Sequence, residues 1–146
     1  MTPEALYLKF ADIVNAREYG RLEEVMVPDF VDHHPGLVDV ASLDTYRANI
    51  TSLIDALGMV VTAERVVAAG DEVFTRIRLT GKHTGTFLGV PASGNQLDWY
   101  THELWRIENG RFVERWAVDD LLTLVSQLGV PMPTWGAPDP AEVGAK

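Results

Sequence analysis

The sequence predicts an α+β domain in which N-terminal helices pack on a curved, mainly antiparallel sheet. Up to Gly58 the apolar residues recur at helical spacing, whereas from Met59 onward the period changes toward two, as in half-buried strands. Short turn signals separate the strands, which indicates hairpins rather than crossover connections. Because long strands twist, such a sheet curls around its helices, and we expect a cone-shaped cavity between them.

Three helical segments are predicted before the strands begin. Thr2 can cap the first helix, whose apolar face follows at helical spacing: Leu6, Phe10, Ile13 and Val14. A shorter helical piece is expected around Arg21 to Met26, ended by Pro28. The clearest helix begins after Ser42 and ends at Gly58, with a stripe formed by Tyr46, Ile50, Leu53, Ile54 and Leu57.

The second half of the chain predicts about four long antiparallel strands in two hairpins. The first hairpin joins Val60–Ala69 to Glu72–His83, where apolar and polar residues alternate. The second joins Gln96–Glu108 to Arg111–Val118 through Asn109-Gly110, a pair that tolerates the positive φ angles of a type I′ turn.

Composition limits both domain organisation and partners. A chain of 146 residues with 47% hydrophobic residues fits one domain, here residues 1–130, followed by a proline-rich tail over residues 131–146. Twenty-one acidic residues against 12 basic ones give a net charge of −9, so we expect no nucleic-acid partner. The sequence has no cysteine, and its start lacks the pattern of a signal peptide. No run is long enough to cross a bilayer, so we expect a cytoplasmic protein that does not bind membranes.

The four histidines do not predict a metal site. His33 and His34 are adjacent in an extended stretch and diverge, while His83 and His102 belong to different segments. No pair therefore has the i, i+4 spacing of a helical metal motif. The glycine-rich segment GTFLGVPASG also lacks the lysine of a phosphate-binding loop, so we expect neither a metal nor a nucleotide cofactor.

Several segments together resemble the SnoaL-like polyketide cyclase family of the nuclear-transport-factor-two-like superfamily. They are FVDH, GKHTGTFLGVPASG, WRIENGRFVERW and the final QLG, and the similar region runs from Ala5 to Gly129. The resemblance implies a cone-shaped α+β barrel that often dimerises through its sheet. It also implies acid/base chemistry on a carbonyl compound without metal or cofactor.

The resemblance also implies site residues. Cyclases of this family use an aspartate four residues past the tryptophan of the last strand as general acid/base, a position that is Asp120 when counted from Trp116. Its partner is expected on the adjoining strand, as His102 or Glu103, of which only one can face the cavity because neighbours on a strand point to opposite sides. His33 is a further alternative. The expected pocket residues are Tyr100, Trp116, Trp105, Phe87 and Tyr46.

Structural roles compete with these assignments. Asp120 precedes a leucine-rich segment and could simply cap a short C-terminal helix, or Asp119 could take that cap. His102 could instead donate to a neighbouring carbonyl group or face a subunit contact.

The expected function is an intramolecular aldol-type cyclisation of a small hydrophobic carbonyl substrate, with Asp120 as acid/base and His102 bound to the oxygen that gains charge. An epoxide hydrolase, dehydratase or isomerase on the same fold is the first alternative, because Asp32, Asp98 and Glu103 could join Asp120 in activating water. The second alternative is a non-catalytic protein that binds a small apolar molecule. A homodimer or a higher homo-oligomer is expected by resemblance.

Overall fold

The computed structural model describes residues 1–35, 37 and 39–132. Three α-helices and five strands follow one another in the order α1 (Pro3–Asn15), β1 (Met26–His33), α2 (Leu43–Leu57), β2 (Val60–Ala69), β3 (Glu72–Lys82), β4 (Gln96–Glu108), β5 (Arg111–Asp119) and α3 (Leu121–Gln127). A 3-10 helix, Tyr19–Glu24, lies between α1 and β1. Residues 133–146 of the predicted tail lie outside the described part.

The five strands form one sheet in the order β1-β5-β4-β3-β2. Three neighbouring pairs are antiparallel, as predicted, and the mainly antiparallel α+β architecture is confirmed. The expected number of strands was too low, because the extended segment before the second helix joins the sheet as β1 and runs parallel to β5. Both β1 and β2 are edges, so the sheet is open and does not close into the barrel that the resemblance implies.

Both long helices begin where the sequence predicts, and α2 also ends there. The Thr2 side chain accepts a hydrogen bond from the backbone N–H of Ala5, and the Ser42 hydroxyl accepts one from that of Thr45. Gly58 ends α2 in the left-handed conformation, with φ 56°. Gly81 lies so close to this end that a Cβ atom there would come within 2.0 Å of the carbonyl oxygen of Leu57. The sheet therefore holds α2 at backbone contact distance.

The predicted helix around Arg21 to Met26 is wrong in both extent and type. The 3-10 helix ends at Glu24, and Met26 already belongs to β1. Pro28 lies inside β1 rather than ending a helix. Proline is tolerated there because β1 is an edge strand whose pairing with β5 is interrupted by an irregularity between Met26 and Val31.

Side chains on β4, and on β5 from Arg115 onward, alternate between the two faces of the sheet. The inner face of β4 carries Leu97, Trp99, Thr101, Glu103 and Trp105, all buried. On β5, Arg115 and Ala117 are buried, whereas Trp116 and Val118 are exposed on the other face. This alternation decides which of the polar residues can reach the interior.

Among the residues described, none of the helices combines the length and the apolar character that a membrane-spanning segment requires.

Candidate active site

A cavity lies between the long helices and the inner face of the sheet. Its volume is about 580 Å³ when the part open to solvent is counted. Most of its wall is apolar and includes Phe10, Val14, Ile50, Leu53, Ile77 and Leu79. The polar lining comes mainly from β4, β5 and the residue after β1, with Tyr46 added from α2; these residues are Thr101, Glu103, Arg115, Asp119 and His34. An apolar cavity with a few converging polar groups is the usual form of a small-molecule site.

Asp119 is the carboxylate at the end of β5 that lines this cavity. Its side chain is only 4% exposed. Its Oδ1 accepts hydrogen bonds from the indole N–H of Trp99, at 3.2 Å, and from the hydroxyl of Thr101. Its Oδ2 pairs with Nε2 of His34. The carboxylate is therefore held in one orientation by three side chains from two neighbouring segments.

The environment of Asp119 favours its ionised form. Burial by itself would raise the pKa of this carboxyl, but the hydrogen bonds from His34, Thr101 and Trp99 together outweigh it and leave the pKa below its ordinary value. Asp119 is thus a carboxylate at neutral pH, able to accept a proton from a bound molecule.

The position of Arg115 fixes the tautomer of His34. Nη2 of Arg115 lies 3.2 Å from Nδ1 of His34, and a guanidinium can only donate hydrogen bonds. Nδ1 must therefore accept, so the ring proton is on Nε2, where it is donated to Asp119. Because both ring nitrogens are occupied, His34 orients Asp119 rather than taking a substrate proton itself.

A buried ionic network lies beneath this pair. Arg115 donates two hydrogen bonds to Asp32, at 2.7 and 2.6 Å, and one to Glu103, at 2.8 Å. Glu103 also accepts from the hydroxyls of Tyr7, at 2.6 Å, and Thr75, at 2.8 Å. All five side chains are buried, so these bonds replace the water that the charges have lost.

Burial and the neighbouring Glu103 raise the pKa of Tyr7 well above its ordinary value, so its hydroxyl remains a donor. The carboxylates beside Arg115 outweigh the cost of burial and raise the pKa of its guanidinium, which stays charged. Asp32 and Glu103 are both paired with the Arg115 guanidinium, whereas Asp119 lines the cavity and is held by neighbours other than this arginine.

The predicted acid/base Asp120 does not project into the cavity. It is exposed and caps α3, where its carboxylate accepts from the backbone N–H of Thr123, at 3.2 Å, and from the Thr123 hydroxyl, at 2.6 Å. The expected orientation is therefore wrong by one residue: the strand still alternates at Asp119, which faces inward, and its neighbour turns outward to begin the helix.

Of the two candidates on β4, Glu103 faces inward and His102 outward. His102 is exposed and lies 2.8 Å from Nη1 of Arg76, so the prediction that it lines the cavity is wrong. His33 also lies on the outer face, where it pairs with Glu114 at 2.7 Å and stacks on Trp116. The structure thus brings only Glu103 of the predicted histidine and glutamate candidates to the cavity.

Two of the five predicted pocket residues, Tyr46 and Phe87, line the cavity. The other three do not. Tyr100 and Trp116 belong to the outer face of the sheet, where Tyr100 lies under the guanidinium of Arg76. Trp105 does face inward, but it is buried within the aromatic core and contacts Phe10 and Phe112 instead of the cavity.

Sequence reasoning missed the roles of Asp119, Thr101, Arg115 and His34. The alternation of β4 contained a signal. Trp99 and Trp105 are large aromatic residues that lie on the buried face, and Thr101 and Glu103 lie between them on that same face. Within the described ranges, no group of three or more histidine or acidic side chains is arranged to hold a metal ion.

Comparison with known proteins agrees with this fold. The sequence model of the SnoaL-like polyketide cyclase family matches residues 4–128. Aklanonic acid methyl ester cyclase DauD of Streptomyces sp. (strain C5) is 28% identical over 115 residues, which cover 77% of this chain and 70% of that protein.

Two solved structures are also similar. Wild-type IdmH of Streptomyces antibioticus superposes with a TM-score of 0.79 at 27% identity, covering 89% of this chain and all of the other. A SnoaL-like protein of Jannaschia sp. CCS1 gives 0.80 at 26% identity, covering 90% and 98%. The chain therefore belongs to the SnoaL-like polyketide cyclase family.

Proposed function

We propose that this protein catalyses the intramolecular aldol-type cyclisation of a hydrophobic polyketide-like carbonyl compound, without a cofactor, and that Asp119 is its general acid/base. The observation that carries the proposal is the ionised, oriented carboxylate of Asp119 at the wall of an apolar cavity. The similarity to an aklanonic acid methyl ester cyclase supports the substrate class.

The proposed reaction needs one group that moves a proton. Asp119 accepts a proton from a carbon atom flanked by carbonyl groups, and the electron pair of the broken C–H bond moves onto a carbonyl oxygen to give an enolate. The enolate carbon then forms the new C–C bond with a second carbonyl carbon of the same molecule. Asp119 returns its proton to the resulting alkoxide oxygen, so the product is an isomer of the substrate.

The cavity contributes to this reaction by folding and confining the substrate. Apolar walls hold the two reacting carbons of the bound substrate close together. The entropy cost of ring closure is therefore met when the substrate binds and not in the reaction step. His34 and Thr101 keep the carboxylate aimed at one position, so little reorganisation is needed when the proton moves.

The test is a conversion assay with aklanonic acid methyl ester in water enriched in ¹⁸O. We expect a cyclised product of unchanged mass, separated from the substrate by chromatography, with no ¹⁸O in the newly formed hydroxyl. Incorporation of ¹⁸O by protein-dependent water addition would indicate hydrolase chemistry instead. Tight binding without any conversion would assign the protein to the ligand-binding class.

We also propose that two copies of the chain pair through the outer face of the sheet. Strand register places Val67, Phe74, Leu104 and Trp116 directly opposite one another, so that they form one apolar row across four strands. Val67, Phe74 and Trp116 are 55%, 45% and 40% exposed. A continuous exposed apolar row of this kind is typical of a protein interface.

Sedimentation velocity can test the proposed dimer. We expect the wild type to sediment as a dimer and Phe74→Asp, which places a charge in the middle of the row, to sediment as a monomer. Leu8→Asp is the matched control, since Leu8 is also an exposed apolar residue but lies on α1. A monomeric wild type, or a dimer that survives Phe74→Asp, would contradict the proposal.

A further inference from the structure

The hydroxyl group of Tyr46 is buried and has no hydrogen-bond partner among the described residues. Tyr46 belongs to α2, is only 1% exposed and lines the cavity. Its ring packs edge-on against Phe30, with centroids 5.3 Å apart. A phenylalanine would keep this packing, whereas a buried hydroxyl without a partner costs about 1–3 kcal/mol. The free protein thus contains a polar atom that its own fold does not satisfy.

Most of the other donors on the cavity wall are already engaged. The indole N–H of Trp99 and the hydroxyl of Thr101 both donate to Asp119. Arg115 makes four hydrogen bonds, to Asp32, Glu103 and His34, with the five N–H groups of its guanidinium. Among the described residues that line the cavity, Tyr46 is the one whose buried side-chain polar atom has no hydrogen-bond partner at all.

The electrostatic setting of Tyr46 keeps it a donor. Burial, opposed by the charge of Arg115, raises the pKa of Tyr46 well above its ordinary value, so the hydroxyl keeps its proton at any physiological pH. The guanidinium carbon of Arg115 lies 5.4 Å from the centre of the ring. A neutral donor near a buried positive charge suits an oxygen atom that becomes negative.

We propose that Tyr46 is a further catalytic residue, whose hydroxyl binds a carbonyl oxygen of the substrate and stabilises the negative charge that develops on it. This inference deepens the proposed function and rests on it for the nature of the reaction. When the C–H bond breaks, its proton goes to Asp119 and its electron pair goes to the oxygen bound by Tyr46. The tyrosine keeps its own proton throughout, so it acts as an oxyanion donor and not as a second acid.

The proposal is tested by binding, independently of turnover. The probes are 2-acetylnaphthalene, a ketone, and 2-ethylnaphthalene, in which a methylene group replaces the carbonyl. Both are titrated against wild type and Tyr46→Phe, with the change in tryptophan fluorescence as the signal, to which Trp99 on the cavity wall contributes. We expect Tyr46→Phe to weaken ketone binding roughly threefold to tenfold, the effect of one net hydrogen bond, and to leave hydrocarbon binding unchanged.

Tyr100→Phe is the matched control, because the Tyr100 hydroxyl donates to Glu64 on the outer face and lies outside the cavity. This variant should bind both probes as the wild type does. A wild type that shows no preference for the ketone, or a preference that survives in Tyr46→Phe, would overturn the proposal.

Thermal unfolding supplies a second readout. Because the hydroxyl makes no internal hydrogen bond, Tyr46→Phe should unfold at the same temperature as the wild type or at a higher one. A clear decrease in the unfolding temperature would show that the hydroxyl has a structural partner and would reject the proposal. Loss of ketone preference in Tyr46→Phe would support the role of Tyr46 even if the conversion assay failed. Failure of that assay would count against the cyclisation alone.

Discussion

The two faces of the sheet place ionisable side chains in opposite settings. On the inner face, the side chains of Glu103, Arg115 and Asp119 are at most 9% exposed, and each makes two or more hydrogen bonds to other side chains. On the outer face, His102 and Arg76 contact each other but remain open to water. Buried groups held by several bonds have a fixed orientation, whereas exposed pairs exchange partners with solvent. Within one copy of the chain, the sheet thus separates a preorganised site from an outer face whose charged pairs are open to water.

The largest expected difference between the faces is in turnover. Asp119→Asn removes the inward carboxylate and should lower the rate of cyclisation by about 10²–10⁴-fold, the usual contribution of a general acid/base group. Asp120→Asn should keep close to the wild-type rate, because asparagine can still cap α3.

Conversion of the candidate substrate by the two variants is the measurement, with circular dichroism to confirm that both are folded. The assignment of Asp119 as the general acid/base would be refuted if Asp119→Asn kept full turnover, or if the loss of turnover occurred in Asp120→Asn instead.

The next largest effect is expected on stability. Arg115→Met leaves Asp32 and Glu103 buried without their positive partner and should lower the free energy of unfolding by about 3–5 kcal/mol. Arg76→Met, on the exposed face, should change it little, because exposed ion pairs contribute weakly. Urea unfolding of both variants gives the comparison. Equal losses would mean that burial does not distinguish the two arginines.

A smaller effect is expected on the pH dependence of stability. The pKa of Asp119 is below its ordinary value in the folded chain, so its carboxylate stabilises the fold above pH about 4, the range of an unfolded aspartate. This contribution is lost as the pH falls through the lowered pKa. The difference in unfolding temperature between wild type and Asp119→Asn should therefore shrink between pH 6 and pH 3. A constant difference would show that the ionisation of Asp119 is not coupled to folding.

Much of the fold follows from local signals in the sequence. Thr2, Ser42 and Gly58 bound the long helices as predicted, because capping depends only on nearby residues. Asn109 and Gly110 both adopt positive φ angles, 48° and 76°, as their turn type requires. The parallel pairing of β1 with β5 was not predictable in this way, since it joins segments about 80 residues apart.

The site was harder to predict because it depends on which alternate residues of each strand face the interior. Counting from Trp116 identified the region of the acid but selected Asp120, whereas the alternation through Arg115 and Ala117 selects Asp119. The alternation along β4 could by itself have placed Glu103 inward. The tautomer of His34 and the unpartnered hydroxyl of Tyr46 could not be inferred, because both depend on distances between segments that are remote in sequence.

The pairing of the first strand with the last has a consequence for biosynthesis. His34 and Asp119 are 85 positions apart, and Asp32 and Arg115 are 83 apart, yet each pair must meet for the site to exist. Until the fifth strand of a nascent chain has been made, Asp32 and Glu103 lack Arg115, the positively charged partner that both have in the folded interior. Assembly of the reaction centre must therefore wait until the fifth strand has been made, and the same pairing adds β1 to the sheet.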